Sequence, residues 1–275
     1  MGEEYREFLK RLLSSIIILP VIIFIILWDE LAVFILLLII IGICLKEIYK
    51  MINHIGYEPS WWLGFILSLY FVGSTFLNTI NFHYLGRDCN YEIFIIILII
   101  FYSIRQLLIK EHLKMLPNIS LTIFGSLYLG YLASYLIKIR SLPSGRYLLL
   151  ILLCIIWVND TSAYLIGSKF GRKKIFPKVS PKKTIEGSLA GIFFSIIVTF
   201  FFKNWLNMDW IKILFLGITI ALVAQLGDFF ESLIKRCTGV KNSSDLIPGH
   251  GGILDRLDSI LFAAPVFYYF LVFLK

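Results

Sequence analysis

Acids, bases and glycines crowd into the segment SLIKRCTGVKNSSDLIPGHGGILDRLDS, residues 232–259, which lies between two apolar runs. Just before and inside it, Asp228, Glu231, Ser232 and Lys235 stand at i, i+3, i+4 and i+7. A helix carried through them lines one face with acids and ends that face on a base. Arg236 follows, then a loop with Lys241 and Pro248-Gly249-His250-Gly251-Gly252, whose glycines permit turns that a side chain would forbid. Asp255, Arg256 and Asp258 open the next apolar run, with the two acids sharing a face near a helix N-terminus. Carboxylates beside Lys and Arg suit phosphate chemistry. Hard oxygens hold Mg²⁺, the ion screens a polyphosphate, and the bases absorb the remaining negative charge. His250 has no second His at ligand spacing and is read as a loop-structuring residue.

Two earlier segments also break the apolar pattern. In Trp157-Val158-Asn159-Asp160-Thr161-Ser162-Ala163-Tyr164, helical spacing puts Asp160, Tyr164 and Gly167 along one face. An acid at membrane depth is a functional candidate by default, although hydrogen-bonded glue between helices is the competing reading. Residues 169–183 carry seven bases, most of them read as membrane-surface anchors or a patch for anionic lipid. Ser180-Pro181 predicts a helix start, with Ser as N-cap and Pro as first helical residue. Its free N–H groups would receive a phosphate beside Lys182, Lys183 and Thr184. No Walker P-loop, G-x-S-x-G elbow or Ser-His-Asp order occurs. Cys44, Cys89, Cys154 and Cys237 lack C-x-x-C spacing and indicate neither a disulfide framework nor a zinc site.

The elements that must carry these groups are membrane helices. The chain has 275 residues, 59% of them hydrophobic and 16% charged, with a mean hydropathy of +0.85. Apolar runs near 12–28, 31–51, 61–80, 91–109, 119–138, 147–167, 187–203, 209–227 and 259–274 each approach the length that crosses ~30 Å of hydrocarbon. The runs are continuous Ile, Leu and Phe rather than alternating, which excludes a membrane barrel. The expected fold is an all-α integral membrane protein, a polytopic bundle of about nine transmembrane helices. No linker marks off a soluble part, so residues 1–275 read as one domain, with the chemistry in the half from about 150 to 275. No A-x-A site follows Trp28, and Arg6 stands where myristoylation favours Ser or Thr, so the first span is read as permanent and unmodified.

Orientation follows from the bases. With the N-terminus inside, roughly 19 of the 26 Lys and Arg fall on the cytoplasmic side. An odd span number puts the C-terminus outside, and all three polar clusters face the cytoplasm. Trp28, Trp61, Trp62, Trp205 and Trp210 lie near predicted span ends, as interfacial belt residues do, and do not form a base-stacking platform for nucleic acid.

The run S-L-I-K-R-x4-K-N-x5-P-G-H-G-G-I-L-D-R-L-D-S, residues 232–259, resembles the signature of the phosphatidate cytidylyltransferases, or CDP-diacylglycerol synthases. N-D-T-S-A-Y, S-P-K-K-T-x-E-G and Q-x-G-D-x-x-E-S look like further segments of that family in the same order. The resemblance covers the C-terminal half; the first 140 residues match only in being multispan and apolar. It implies transfer of CMP from CTP to phosphatidic acid, with release of pyrophosphate. It also implies metal-binding acids at Asp228 and Asp255, Mg²⁺ as cofactor and a second cation as an open question. Asp258 is added to the metal set.

Lys235, Arg236, Lys241 and Arg256 are then expected on phosphates of CTP or phosphatidate. Gly249, His250, Gly251 and Gly252 form the substrate loop; Ser180, Lys182, Lys183, Thr184, Ser232 and Asp160 complete the candidate set. The family pattern has Lys-Asp where this chain reads Lys241-Asn242, so one loop carboxylate is missing. The expected partners are CTP, phosphatidic acid and membrane lipids, with the oligomeric state, a homodimer included, left open. The alternatives are a CTP-dependent lipid kinase and an ion-coupled transporter using Asp160 and Asp228.

Overall fold

A computed structural model describes residues 19–79, 100, 113–244, 246 and 251–274. Its helices are α1 Leu19–Trp28, α2 Glu30–Asn53, α3 Trp61–Thr79, α4 Met115–Arg140, α5 Gly145–Phe170, α6 Ile185–Phe201, α7 Trp210–Cys237 and α8 Leu254–Phe273. A single turn, Lys203–Leu206, links α6 to α7. Among the described residues there is no sheet, only an isolated antiparallel bridge between Lys174 and Thr184.

Six of the helices, α2, α3, α4, α5, α7 and α8, are long and apolar enough to cross a membrane. The protein is therefore an all-helical membrane protein, with six such spans among the described residues, where about nine were expected for the whole chain. The span expected near 91–109 falls outside the described residues apart from Ile100, as does the start of the one near 12–28. The one expected near 187–203 is α6, whose 17 residues reach roughly 26 Å, short of a ~30 Å core. Two other boundaries move. α7 runs to Cys237, well past the predicted end at 227, and α8 starts at Leu254, ahead of 259. The polar turns that apolar periodicity leaves out stay helical because their side chains find partners in neighbouring segments.

Leu152, Ile155, Leu216, Ile220, Ala264 and Phe267 fill the interior, while Phe193, Ile197, Phe201 and Phe215 stay exposed, as befits helices whose outer solvent is lipid. Without a hydrophobic drive between helices in lipid, close packing must hold them, and small residues permit it. Gly187 and Gly191 sit four apart on α6 and face α5. A Cβ on Gly187 would lie 2.6 Å from the Ala163 carbonyl oxygen and 3.0 Å from the Gly167 Cα; one on Gly191 would lie 2.6 Å from Asn159 Oδ1. On the other side of the bundle the buried Tyr49 of α2 donates to the Thr122 carbonyl of α4 at 2.8 Å. α4 contains one π-helical turn, Leu127–Tyr131, where Gly130 lies directly against Ser68 of α3.

Gly187→Leu is expected to push α5 and α6 apart at a cost of about 1–3 kcal/mol. Thermal unfolding of the detergent-solubilised protein checks this, and an unaltered Tm would remove the close-approach argument.

Candidate functional site

Because α7 continues through the signature, Asp228, Glu231, Ser232 and Lys235 do share a face. The Lys235 ammonium holds Asp255 Oδ1 at 2.7 Å and also pairs with Glu231, a fully buried carboxylate one turn back. Asp255 Oδ2 accepts from the Gly252 N–H at 2.9 Å and from Ser243 Oγ at 2.9 Å. Gly251 makes this possible: its φ is +82°, and a Cβ there would lie 2.7 Å from Asp255 Oδ2. Asp258 is buried one turn further on, its Oδ1 accepting the Ser259 N–H at 2.7 Å. The backbones of α7 and α8 approach closely here, since a Cβ on Gly227 would run into the Asp258 carbonyl.

The basic segment folds over this pair. Lys183 forms an ion pair with Asp228 and stands 4.1 Å from the centre of the Phe229 ring. Arg236 Nε donates to the Val179 carbonyl at 3.1 Å. The segment is closed on itself by Ile185 N–H to the Lys173 carbonyl at 2.9 Å and Ile175 N–H to the Lys183 carbonyl at 3.2 Å. Glu186 locks its start, accepting from the Arg172 N–H at 3.0 Å and from that of Lys173. Its own backbone N–H and those two hold the Glu186 carboxyl below the usual carboxylate range.

The predicted helix start at Ser180-Pro181 is not formed. Those residues make a turn in which the Lys183 N–H returns to the Ser180 carbonyl at 3.3 Å, with Pro at the position its fixed φ favours. The helix begins four residues later. Thr184, buried against Gly167, is its N-cap, and its Oγ1 accepts from the Gly187 N–H at 3.2 Å. Thr184 stands directly ahead of the apolar run of α6, whereas Ser180-Pro181 is followed by two lysines.

Asp160 lies within coulombic reach of Asp228, Lys183 and Arg256, and Asp258 within reach of Asp228, Asp160 and Lys183. Asp160 is oriented by its neighbour: Asn159 Nδ2 donates to Asp160 Oδ1 at 3.0 Å, while Gln225 Nε2 of α7 donates to Asn159 Oδ1 at 3.0 Å and to the Ser188 carbonyl of α6 at 3.1 Å. Gln225 thus ties α5, α6 and α7 together, and Asn159, held by it, aims Asp160. All three polar stretches of the sequence meet at one end of the bundle in two adjoining groups. One is Asp160, Asp228 and Asp258 around Lys183; the other is Glu231 and Asp255 around Lys235. Among the described residues no three His, Cys, Asp or Glu side chains stand grouped at metal-ligand spacing. Lys182, Lys241 and Arg256 are exposed at this end and Ser232 is half-buried; Gly249 and His250 lie outside the described residues.

One member of the site escapes the sequence reading. Glu47 of α2, buried to 5% exposure, reaches the head of α8, accepting from the Ile253 N–H at 3.1 Å and the Leu254 N–H at 2.8 Å. Ser244 Oγ and Ser243 Oγ donate to the same carboxylate. A carboxylate on the open N–H groups of a helix start offsets both their lost hydrogen bonds and the helix dipole. It also joins the N-terminal half of the chain to the signature. The available signal was an acid within the apolar run near 31–51, though Lys46 and Lys50 beside it make it read as an ordinary polar helix end.

An all-helical membrane protein with clustered carboxylates and lysines at one end of its bundle is the class that fold and site define. The model of the Cytidylyltransferase family matches residues 9–274, and the chain belongs to that family. Among similar proteins is a phosphatidate cytidylyltransferase of Synechocystis sp., 34% identical over 264 residues with 86% of each chain covered. Phosphatidate cytidylyltransferases of Aquifex aeolicus and Bacillus subtilis are 45% and 37% identical over 134 and 150 residues. In these two the chain spans about half the relative's length, 50% and 56%.

Glu47→Ala leaves two backbone donors at the head of α8 without an acceptor, which costs about 1–3 kcal/mol each. The expected result is a lower Tm together with at least tenfold lower turnover; wild-type values of both would show that Glu47 does not hold the signature in place.

Proposed function

We propose that this membrane protein acts as a phosphatidate cytidylyltransferase, joining the phosphate of phosphatidic acid to the CMP unit of CTP. An oxygen of the lipid phosphate bonds to the α-phosphorus as the bond from that phosphorus to the pyrophosphate oxygen breaks. The products are CDP-diacylglycerol and pyrophosphate. Family membership over 9–274 and the Synechocystis relative support the reaction. The observation that carries the site assignment is the Lys183–Asp228 ion pair, because it draws the basic segment onto the signature helix.

The lipid phosphate is already substantially ionised near neutral pH, taking a phosphoester second pKa of about 6 as a guide. It attacks without a general base, so catalysis reduces to alignment and charge neutralisation. Lys235, Arg236, Lys241 and Arg256 neutralise phosphate oxygens, with Lys182 and Lys183 as a second contact from the basic segment. Ser180, Thr184, Ser232 and Asp160 are assigned to substrate binding, as are Gly251, Gly252 and, outside the described residues, Gly249 and His250.

Mg²⁺ would be held by Asp228, Asp255 and Asp258. The donors are of the type a hard divalent ion takes, since all three are carboxylates and two already hold an ammonium, that of Lys183 on Asp228 and that of Lys235 on Asp255, but as placed they belong to two adjoining groups and do not stand together at metal-ligand spacing. When bound, the ion would supply charge screening for the triphosphate. The site faces the cytoplasm, with the N-terminus inside and the C-terminus outside, in keeping with the distribution of Lys and Arg.

Purified protein given CTP, Mg²⁺ and phosphatidic acid should release pyrophosphate and form CDP-diacylglycerol. Release of CDP would indicate a kinase instead, and solute uptake into vesicles without CTP consumption a transporter. Asp228→Asn and Asp255→Asn are each expected to lower turnover by more than about a hundredfold with insertion and expression retained. EDTA should abolish activity and Mg²⁺ restore it; full activity in either variant, or in EDTA, would overturn the metal assignment.

A further inference from the structure

Tyr128 belongs to the π-helical turn of α4, Leu127–Tyr131, in the half of the chain that carries none of the sequence motifs. Its ring is 4% exposed and is boxed by Phe124 at 5.8 Å, Phe230 at 5.5 Å and Phe262 at 6.2 Å between centroids. Phe230 and Phe262 sit on α7 and α8, so the box is made by the two signature helices. Packing accounts for the ring and leaves the hydroxyl unexplained. Among the described residues that oxygen is buried with no hydrogen-bond partner. It lies within coulombic reach of Asp258, Glu231 and Asp228.

A buried hydroxyl without a partner is destabilising, by about 1–3 kcal/mol, and a phenylalanine would fill the same box without it. A π turn inserts one residue into a helix and re-aims the side chains around it, and such turns occur frequently at functional sites. A ring held by both signature helices, with its one polar atom buried and unpartnered among the described residues, is arranged to meet something that arrives there. The acids are themselves hydrogen-bond acceptors, but the site's purpose as read above is to receive phosphates, and a phosphate oxygen is the acceptor a phenol O–H suits.

The geometry points to Tyr128 as a further substrate-contacting residue, whose hydroxyl donates a hydrogen bond to a phosphate oxygen of the bound substrate. This rests on the reading of the site as one that receives CTP and phosphatidate. The source of the oxygen, nucleotide or lipid, is decided by which substrate's KM responds.

The test compares wild type with Tyr128→Phe by thermal unfolding in detergent and by steady-state kinetics, varying CTP and phosphatidic acid in turn. Expected is a Tm equal to or above that of wild type, with kcat/KM about tenfold lower or worse for one substrate. A packing role alone predicts that Tm falls or stays level while kcat and both KM values stay put, and that result overturns the assignment. If Tyr128→Phe fails to fold, 4-aminophenylalanine at position 128, which restores a donor, is compared with 4-methylphenylalanine, which does not. Higher kcat/KM with the donor supports the contact, and equal values overturn it. If wild type releases no pyrophosphate in the same assay, the cytidylyltransferase reading fails; an active wild type with an unaltered Tyr128→Phe enzyme sinks the Tyr128 assignment alone.

Discussion

A carboxylate enclosed in a bundle whose outer solvent is hydrocarbon has to be neutralised from within the protein. Glu231 is fully buried and its counter-charge is Lys235, which also holds Asp255. Glu47 is buried as well and draws on four donors, two hydroxyls and two backbone N–H groups. Removing one partner of such a pair is far more costly than the pair is stabilising, because an unmatched charge is left behind. α2, α7 and α8 are therefore bound to one another at their polar ends by groups that cannot be exchanged for apolar ones singly.

The remaining architecture serves that constraint. Gly227, Gly251 and Gly252 let backbones and carboxylates come within hydrogen-bonding range, as Gly187 and Gly191 do between α5 and α6. The 171–184 segment has little regular structure of its own. It is held by a two-bond bridge, by Glu186 at its start, and by Lys183 and Arg236 across to α7. A loop tied at both ends in this way can present several lysines at the membrane surface without an apolar core beneath it. The same logic explains why the polar end of α7 stays helical: Asp228 and Lys235 are drawn into ion pairs made by two other segments, and Glu231 pairs with Lys235 one turn on.

Much of this was legible in the residues. The length of the apolar runs located six long helices, and i, i+3, i+4 and i+7 spacing placed Asp228, Glu231, Ser232 and Lys235 on one face. Local rules failed where two start signals competed. Ser180-Pro181 satisfied the N-cap preference, but the chain uses that proline in a turn and caps α6 with Thr184. Span ends failed for a related reason, since hydropathy marks where a helix leaves lipid and says nothing of polar turns stabilised by distant partners.

Composition and motif spacing by themselves determined that the chain is a membrane-embedded helical protein and that its acids and bases belong to phosphate chemistry. Both properties are local, set by side-chain solvation and helical pitch. Only the tertiary structure decided which groups meet: that Lys183 takes Asp228 while Lys235 takes Asp255 and Glu231, that Glu47 caps α8 from 207 positions away at Leu254, and that the Tyr128 ring packs against Phe230 and Phe262 of the two signature helices. Partners so far apart along the chain leave no trace in its periodicity. They are chosen by helix packing, which depends on the shapes of whole surfaces rather than on any one stretch of residues.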